Sequence, residues 1–495
     1  MLTWGRFLLW DHVAMASGSD RRPTLDAAAI LAARGGEAAE LHARHMNPQL
    51  VRVLRAIGFD RTWTGGEGAH LVDAGGERYL DLLSGYGMFA LGRNPPAVRE
   101  QLERVLAAGT ASLPQMGVTV LPAVLAEELL RRVPRSLGAV LLTNSGTESV
   151  EAAIKLARAA TGRPRIIYCE HGFHGLTLGA LSVNGNEEFR ERFGPLLPGC
   201  DAVPFGDLDA LVRELRTGDV AAFLVEPVQG KGVHVPDPAY LPEAQELCRR
   251  HGTLFAVDEV QTGLGRTGRF LALEHWGLEP DLVMLSKALS GGYVPVGAVL
   301  SSRAVFDRVF DSMERAVVHG STFGQGDLAA TAALATLSEI DDTGLVERAR
   351  AMGERLLELT RPLVERHDLV RDVRGLGLMW ALELGPPTAR SARRTWDFVE
   401  RRQPGLVAQL VVVPLFREHR ILTQVAGHRV NVIKALPPLV TEEAELERFA
   451  TALDDVLGRA EPLSRGMARL TLGMARRSMR RAPRPSGLAP PAETA

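Results

Sequence analysis

Of the 57 basic residues in this 495-residue chain only four are lysines: Lys155, Lys231, Lys287 and Lys434. A lysine amine can lose its proton and attack a carbonyl, whereas a guanidinium stays charged, so in an arginine-biased chain each lysine asks for a reason. Lys287 ends the apolar run Asp281-Leu282-Val283-Met284-Leu285-Ser286 and precedes Ala288-Leu289-Ser290-Gly291-Gly292, the form of a strand that delivers an amine to a glycine-rich loop. Asp258 closes another apolar run, Leu254-Phe255-Ala256-Val257. Asn144-Ser145-Gly146-Thr147-Glu148 follows a third, at 139–143. Ser145 and Glu148 have the S-x-x-E spacing of a capping box ahead of a helix predicted over 149–160, and the free N–H groups of a helix start favour an anion. By itself that box is weak, since most capping boxes bind nothing. An amine, a carboxylate and an anion cup at strand ends together match what pyridoxal 5'-phosphate requires, with Phe173 in Gly172-Phe173-His174-Gly175 as the aromatic that would stack on its ring.

The elements that must position these groups are short apolar runs at 139–143, 165–169, 221–226, 253–258, 281–286 and 296–300, separated by helical stretches. That alternation predicts βαβ units and a mostly parallel sheet covered on both faces, with ligands beyond the carboxyl ends of its strands. Residues 68–83 alternate around Asp73-Ala74-Gly75-Gly76 and predict a hairpin. A long amphipathic helix from 346 and a strand-like stretch at 370–384 predict a second, smaller α+β layer. The expected division is an N-terminal arm at 1–45, the first part of a small domain at 46–95, a large domain at 96–345, the rest of the small domain at 346–460, and a basic, partly disordered tail at 461–495.

A formal charge of −2 and a pI near 6.7 give no reason to expect nucleic-acid binding. Cys169, Cys200 and Cys248 have no metal-ligand spacing and read as free thiols of a reducing compartment, so a cytoplasmic location is expected. His171 and His174 lack a third ligand at suitable spacing, so no metal is expected. No apolar run approaches the roughly 18 residues of a membrane span, and residues 2–10 read as a terminal arm.

Four blocks carry a resemblance: Thr143-Asn144-Ser145-Gly146-Thr147-Glu148-Ser149-Val150-Glu151-Ala152, Glu226-Pro227-Val228-Gln229-Gly230, Asp258-Glu259-Val260-Gln261-Thr262-Gly263, and Ser286-Lys287-Ala288-Leu289-Ser290-Gly291-Gly292. They are similar to the class-III aminotransferases, the family of ornithine, acetylornithine, putrescine and 4-aminobutyrate aminotransferases, over about residues 46–460. The resemblance implies an α/β protein of PLP-dependent transferase fold type I. Its large domain would carry a mostly parallel seven-stranded sheet beside a smaller α+β domain, in a homodimer with active sites at the interface. It implies Lys287 as the Schiff-base lysine and proton shuttle, Asp258 as partner of the pyridinium nitrogen, and Gln261 as donor to the ring hydroxyl. Gly146 and Thr147 would hold the phosphate, Phe173 would stack, and Thr322 would reach the phosphate of the neighbouring subunit. Lys155 reads as a helix-surface or interface charge.

Ornithine-type members carry Gln-Gly-Glu after Glu-Pro, and that glutamate pairs with an arginine in Ile-Arg-x-x-Pro-Pro-Leu. Here the residues are Gln229-Gly230-Lys231 and Ile433-Lys434-Ala435-Leu436-Pro437-Pro438-Leu439. Lysine lacks the planar fork that grips a carboxylate, so the usual gate is absent. Either Lys434 still meets a substrate carboxylate while Lys231 turns to solvent, or the pocket is rebuilt for an ω-amine, a diamine or a larger aldehyde. Two facing lysines would repel unless an anion sat between them. Tyr86 stands where the family's substrate pocket is lined.

The stretches Gln229-Gly230-Lys231-Gly232-Val233 and Phe416 to Gln424 look most like putrescine-like and hopanoid-associated transaminases. Leu463, Met467, Leu470 and Met474 share one face of a basic helix, which would be either packed on its own domain or, through 463–481, in weak contact with a membrane surface. The expected activity is ping-pong transfer of an amino group between an amine and a carbonyl. Its rivals are an intramolecular aminomutase and a cofactor-binding regulator, and the 45 arm residues show no helix-turn-helix pattern that a DNA-binding regulator would need.

Overall fold

The computed structural model of the chain describes residues 25–461 and 463–478. The first half of the predicted arm and the predicted disordered end past Arg481 lie outside the described residues. The second half of the arm is helical, as its alanine content predicts, at Ala27–Arg34 and Ala38–His45.

Three short strands, β1 (Trp63–Glu67), β2 (His70–Asp73) and β3 (Arg78–Asp81), form an antiparallel meander. Its second turn is closed by Asp73 Oδ1, which accepts from Gly75 N and Glu77 N, the local bond for which Asp is favoured in turns. The central sheet follows, built from β4 (Ala139–Thr143), β5 (Arg165–Cys169), β6 (Cys200–Val203), β7 (Val220–Val225), β8 (Leu254–Asp258), β9 (Leu282–Leu285) and β10 (Gly297–Ser301). Their order is β4-β10-β9-β8-β7-β5-β6. The middle strands are buried along their whole length, which is why they read as unbroken apolar runs and not as alternating ones.

The seven-stranded sheet is mostly parallel, as expected, with one strand reversed. β10 is antiparallel to both neighbours, β4 and β9. The connection from β9 holds only a single turn of helix, Lys287–Ser290, too short for the crossover that a parallel return needs. All the other strands run one way, so the carboxyl ends of β4, β5, β7, β8 and β9 open on the same edge of the sheet.

Toward the C-terminus β11 (Val370–Leu376), β12 (Met379–Leu384), β14 (Gln424–Val425) and β15 (Val432–Ala435) make a four-stranded sheet in the order β11-β12-β15-β14. The intervening β13 (Ile421–Leu422) leaves that sheet and pairs in parallel with β3, Ile421 opposite Leu80. The N-terminal meander is thereby built into the C-terminal layer. This layer is bolted to the central sheet at Arg266, a buried guanidinium that donates to the carbonyls of Leu378 and Pro437. Burial without a carboxylate partner pushes its pKa down to about 9. Beside it a Cβ on Gly377 would overlap the backbone of Arg266 and Thr267, so the two layers meet backbone to backbone.

The terminal helix Leu463–Ser478 turns Leu463, Met467 and Leu470 inward. They join the core of the C-terminal layer, which also holds Leu410, Val413 and Val456, while Arg465, Arg469 and Arg476 stay exposed. The membrane-surface reading of 463–481 fails over the described part of this segment, because the apolar stripe that would enter a lipid surface is already spent inside the protein. Among the described residues no helix is long and apolar enough to cross a membrane.

Candidate active site

The carboxyl ends of β7, β8 and β9 deliver Glu226, Asp258 and Lys287 to one cavity of about 360 Å³. Tyr86, Phe173, Val260, Gln261, Lys231 and Lys434 also line it. Of the residues singled out in the sequence, Gly146, Thr147 and Thr322 are not among those lining this cavity. Lys155 also stands apart, exposed on its helix with Nζ 2.8 Å from His319 Nδ1.

Lys287 follows β9 with φ at +39°, a left-handed conformation that a long side chain rarely adopts. Such backbone strain persists only where its surroundings enforce it, and it marks sites where a side chain has been aimed. Burial pushes the amine's pKa down, and the carboxylates Asp258 and Glu226 offset only part of that. Burial thus shifts Lys287 toward its neutral, nucleophilic form.

Asp258 is fixed from two sides: Val260 N donates to Oδ1 at 2.9 Å, and His174 Nδ1 lies 2.7 Å from Oδ2. His174 is itself buried. Burial works to lower its pKa, but the hydrogen bond and charge of Asp258, with Glu226 behind, outweigh it and raise the pKa. The ring nitrogen Nε2 has no hydrogen-bond partner among the described residues. His171 is exposed, so the histidine pair of the sequence does not converge.

Glu226 joins two segments of the wall. Its Oε1 accepts from Phe173 N at 2.9 Å, and its Oε2 accepts from Gly230 N at 2.7 Å. Burial raises its pKa, with His174 opposing and Asp258 adding to the shift.

At the end of β4, Ser145 caps the helix Gly146–Thr161 and accepts from Glu148 N. The reciprocal half of the predicted box is displaced by one residue. Glu148 Oε2 accepts from Asn144 N and Nδ2, both at 2.8 Å, and not from the N–H of Ser145. The N–H groups of Gly146 and Thr147 have no partner among the described residues, the condition for binding an anion at a helix start. Gly146 leaves room for Val260, whose Cγ1 would lie 2.8 Å from any Cβ there. Open donors at a helix start, an amine, and a carboxylate braced by histidine fit the donor set that pyridoxal phosphate needs.

The two lysines of the altered gate have separate fates. Lys231 is not turned to solvent. Its Nζ sits over the rings of Phe189 and Phe173, 4.8 and 5.3 Å from their centroids, and burial lowers its pKa. Lys434 is only 3% exposed and donates to Gly230 O at 2.7 Å and Gln261 Oε1 at 3.1 Å. Burial, then the charge of Lys287, pushes its pKa down to about 7. Repulsion between the pair is thus met by carbonyl dipoles and aromatic faces, with no anion required. The sequence reading left out His174, Glu226, Val260 and Phe189 as parts of the site. Only the Glu-Pro and Asp-Glu-Val-Gln blocks could have drawn attention to Glu226 and Val260.

The chain belongs to the class-III aminotransferase family, whose sequence pattern it matches over residues 58–457. It is 39% identical over 444 residues to the aminotransferase PigE of Serratia sp. (strain ATCC 39006), a match that covers 83% of this chain and 52% of PigE. The chain therefore spans about half the length of that relative. It is 40% identical over 406 residues to the acetylornithine aminotransferase of Methanopyrus kandleri (81% of this chain, 95% of the relative). Among solved structures it is similar to the ornithine aminotransferase of Toxoplasma gondii, crystallised with partial occupancy of PLP at its active site. That likeness has a TM-score of 0.71 at 31% identity and covers 82% of this chain and 92% of the other.

Proposed function

We propose that this protein is a pyridoxal-phosphate-dependent aminotransferase that moves an amino group from glutamate or an ω-amine such as ornithine or putrescine to a carbonyl acceptor by a ping-pong mechanism. The observation that carries this reading is the meeting of Lys287 and Asp258 at neighbouring strand ends in one cavity, with the open helix start at Gly146 following the same sheet edge. Membership of the family and its PLP-containing relatives support the cofactor.

In this reading Gly146, Thr147 and Thr322 hold the phosphate, Phe173 and Val260 face the ring, Gln261 donates to its hydroxyl, and Tyr86 lines the substrate side. When bound, the cofactor supplies an electron sink for the carbon that carries the amine. Asp258 would keep a proton on the ring nitrogen, and His174 holds that carboxylate in place. Lys287, whose amine burial shifts toward its neutral form, would carry the proton between the substrate carbon and the cofactor, working from one side of it. Phe173, Val260 and Phe189 exclude water around it.

The functional unit is proposed to be a homodimer, with Thr322 given to the partner's site. Thr322 is exposed, and the loop that carries it also exposes Val317 and Phe323. Gln115 Nε2 reaches Thr322 O at 3.4 Å and brings in a second segment with Met116 and Val118 fully or nearly fully exposed. So much apolar surface on two adjoining segments fits a subunit interface. The large domain at 96–345 would carry the cofactor, and residues 46–95 with 346–460 would close over it.

A second reading, amination of a larger aldehyde lacking a carboxylate, is favoured by one observation. Among the described residues no arginine lines the cavity, and Leu176, Phe189, Val425 and Ala426 give it apolar walls. Spectroscopy of the holoenzyme tests both. Glutamate, ornithine or putrescine should bleach the cofactor's visible absorbance, and a carbonyl acceptor should restore it. Retention of the band with every amine, together with turnover by Lys287→Ala, would sink the proposal.

A further inference from the structure

Along one wall of the cavity, polar groups close on each other in an unbroken chain. Glu226 Oε2 accepts from Gly230 N, Gly230 O accepts from Lys434 Nζ, the same Nζ donates to Gln261 Oε1, and Gln261 Nε2 donates to Tyr86 O at 3.0 Å. Gly230 is the hub, and a Cβ there would lie 2.8 Å from Gln261 Oε1 and 3.0 Å from Glu226 Oε2, so a side chain would push both groups out of place.

The two ends of a carboxamide are nearly the same size, so which end points where is decided by its partners. Lys434 Nζ donates to Gly230 O and, from the same atom, to the oxygen of Gln261. The carbonyl of Tyr86 can only accept, and so demands the nitrogen. The two contacts agree and allow one orientation. One N–H of Nε2 is then left without a partner among the described residues, on a side chain that lines the cavity.

Lys434 has two of its three N–H groups engaged inside the protein, and its single free N–H cannot grip a carboxylate with two parallel bonds. Its position on β15, between Gly230 and Gln261, ties the C-terminal sheet to the loops after β7 and β8.

We infer that Lys434 is a positioning residue that locks the Gln261 carboxamide so that its free N–H faces the cofactor site, and that it is not the clamp for a substrate carboxylate. This inference rests on the proposed aminotransferase reading and deepens it. Lys434 thus keeps the place of the family's arginine while changing its partner from substrate to protein. A guanidinium at 434 would be longer and planar and would not fit the point between the two oxygens.

A double-mutant cycle on the holoenzyme decides the matter without turnover. The rate of cofactor release on dilution is followed by absorbance for Lys434→Met, Gln261→Leu and the double variant. Each single change should speed release about tenfold, the scale of one hydrogen bond to a charged group, and the double variant should be no faster than the faster single one. Multiplied effects in the double variant would show that the two residues act independently and would overturn the inference.

Kinetics supply the second readout, with Lys434→Arg as a variant that keeps the buried charge. Positioning predicts that kcat falls by a similar factor with glutamate and with putrescine, and that the KM for glutamate moves less than about threefold. A clamp predicts a KM for glutamate raised at least about tenfold in Lys434→Met, preserved in Lys434→Arg, and no change with putrescine; that pattern would also overturn the inference. If the wild-type protein exchanges with no donor, the aminotransferase reading falls, while the release cycle still decides the role of Lys434.

Discussion

At the scale of single residues the site is governed by what burial does to charge. His174 and Lys434 are both buried, yet their pKa values move in opposite directions. His174 is raised by its bond to Asp258, so that pair stabilises the fold fully below the unfolded histidine value of about 6.5 and loses this contribution as pH rises through the folded value. The stability gap between wild type and His174→Gln should accordingly be wider at pH 6 than at pH 9 in thermal melts. The same variant should lose about 10- to 100-fold in kcat, because Asp258 loses its brace. Lys434, pushed down to about 7, has the other sign. Between about pH 7 and the unfolded lysine value near 10.4 the unfolded chain binds the extra proton, so stability climbs with pH across that window. Melting of Lys434→Met should climb less steeply over the same window; equal slopes would show that Lys434 titrates normally. Lys287 and Asp258 were legible because each ends an apolar run in an easily read motif. The role of His174 was not, since its partner lies 84 residues away and a hydrogen bond across strands leaves no mark on local spacing. The choice between solvent and pocket for Lys231 stayed open in the sequence for the same reason, as Phe189 reaches it only in three dimensions.

At the scale of elements, the apolar runs located most of the central sheet, and their order along the chain implied helices on both faces. The direction of β10 was lost because a buried strand shows the same apolar run whichever way it points; only the short link after Lys287 carried the information. β6 escaped for a different reason. It lies at the sheet edge with Cys200, Asp201 and Ala202 partly or fully exposed, so it has no apolar run to find. The terminal helix was read correctly as amphipathic, but a stripe of Leu463, Met467 and Leu470 does not say which surface it meets. Leu463→Ala should cost about 2–4 kcal/mol, the range for emptying a buried leucine site. Changing the exposed Arg465 to Gln should leave stability within about 0.5 kcal/mol. In flotation with anionic vesicles the intact protein should stay unbound; robust flotation abolished by Leu463→Ala would show that this helix leaves its core.

At the scale of the whole molecule the proposed homodimer has a direct test by complementation. Lys287→Ala and Thr322→Glu homodimers should each be inactive. If Thr322 serves the neighbouring subunit, mixing the two under exchange conditions restores activity, since a mixed dimer has one site with an intact Lys287 and an intact Thr322 from the other chain. No recovery in mixed dimers, with mixing verified by mass, would place Thr322 in its own subunit's chemistry. Assembly within one chain carries a further consequence. β3 takes its parallel partner from β13, so Leu80 waits for Ile421, some 340 residues later. At a synthesis rate of about 5–20 residues per second, the interval is roughly 20–70 seconds. Throughout it, the β3 edge of the meander stays unpaired in addition to the β1 edge, an open template for another nascent chain. β3, made early in synthesis, is therefore completed only when β13 emerges.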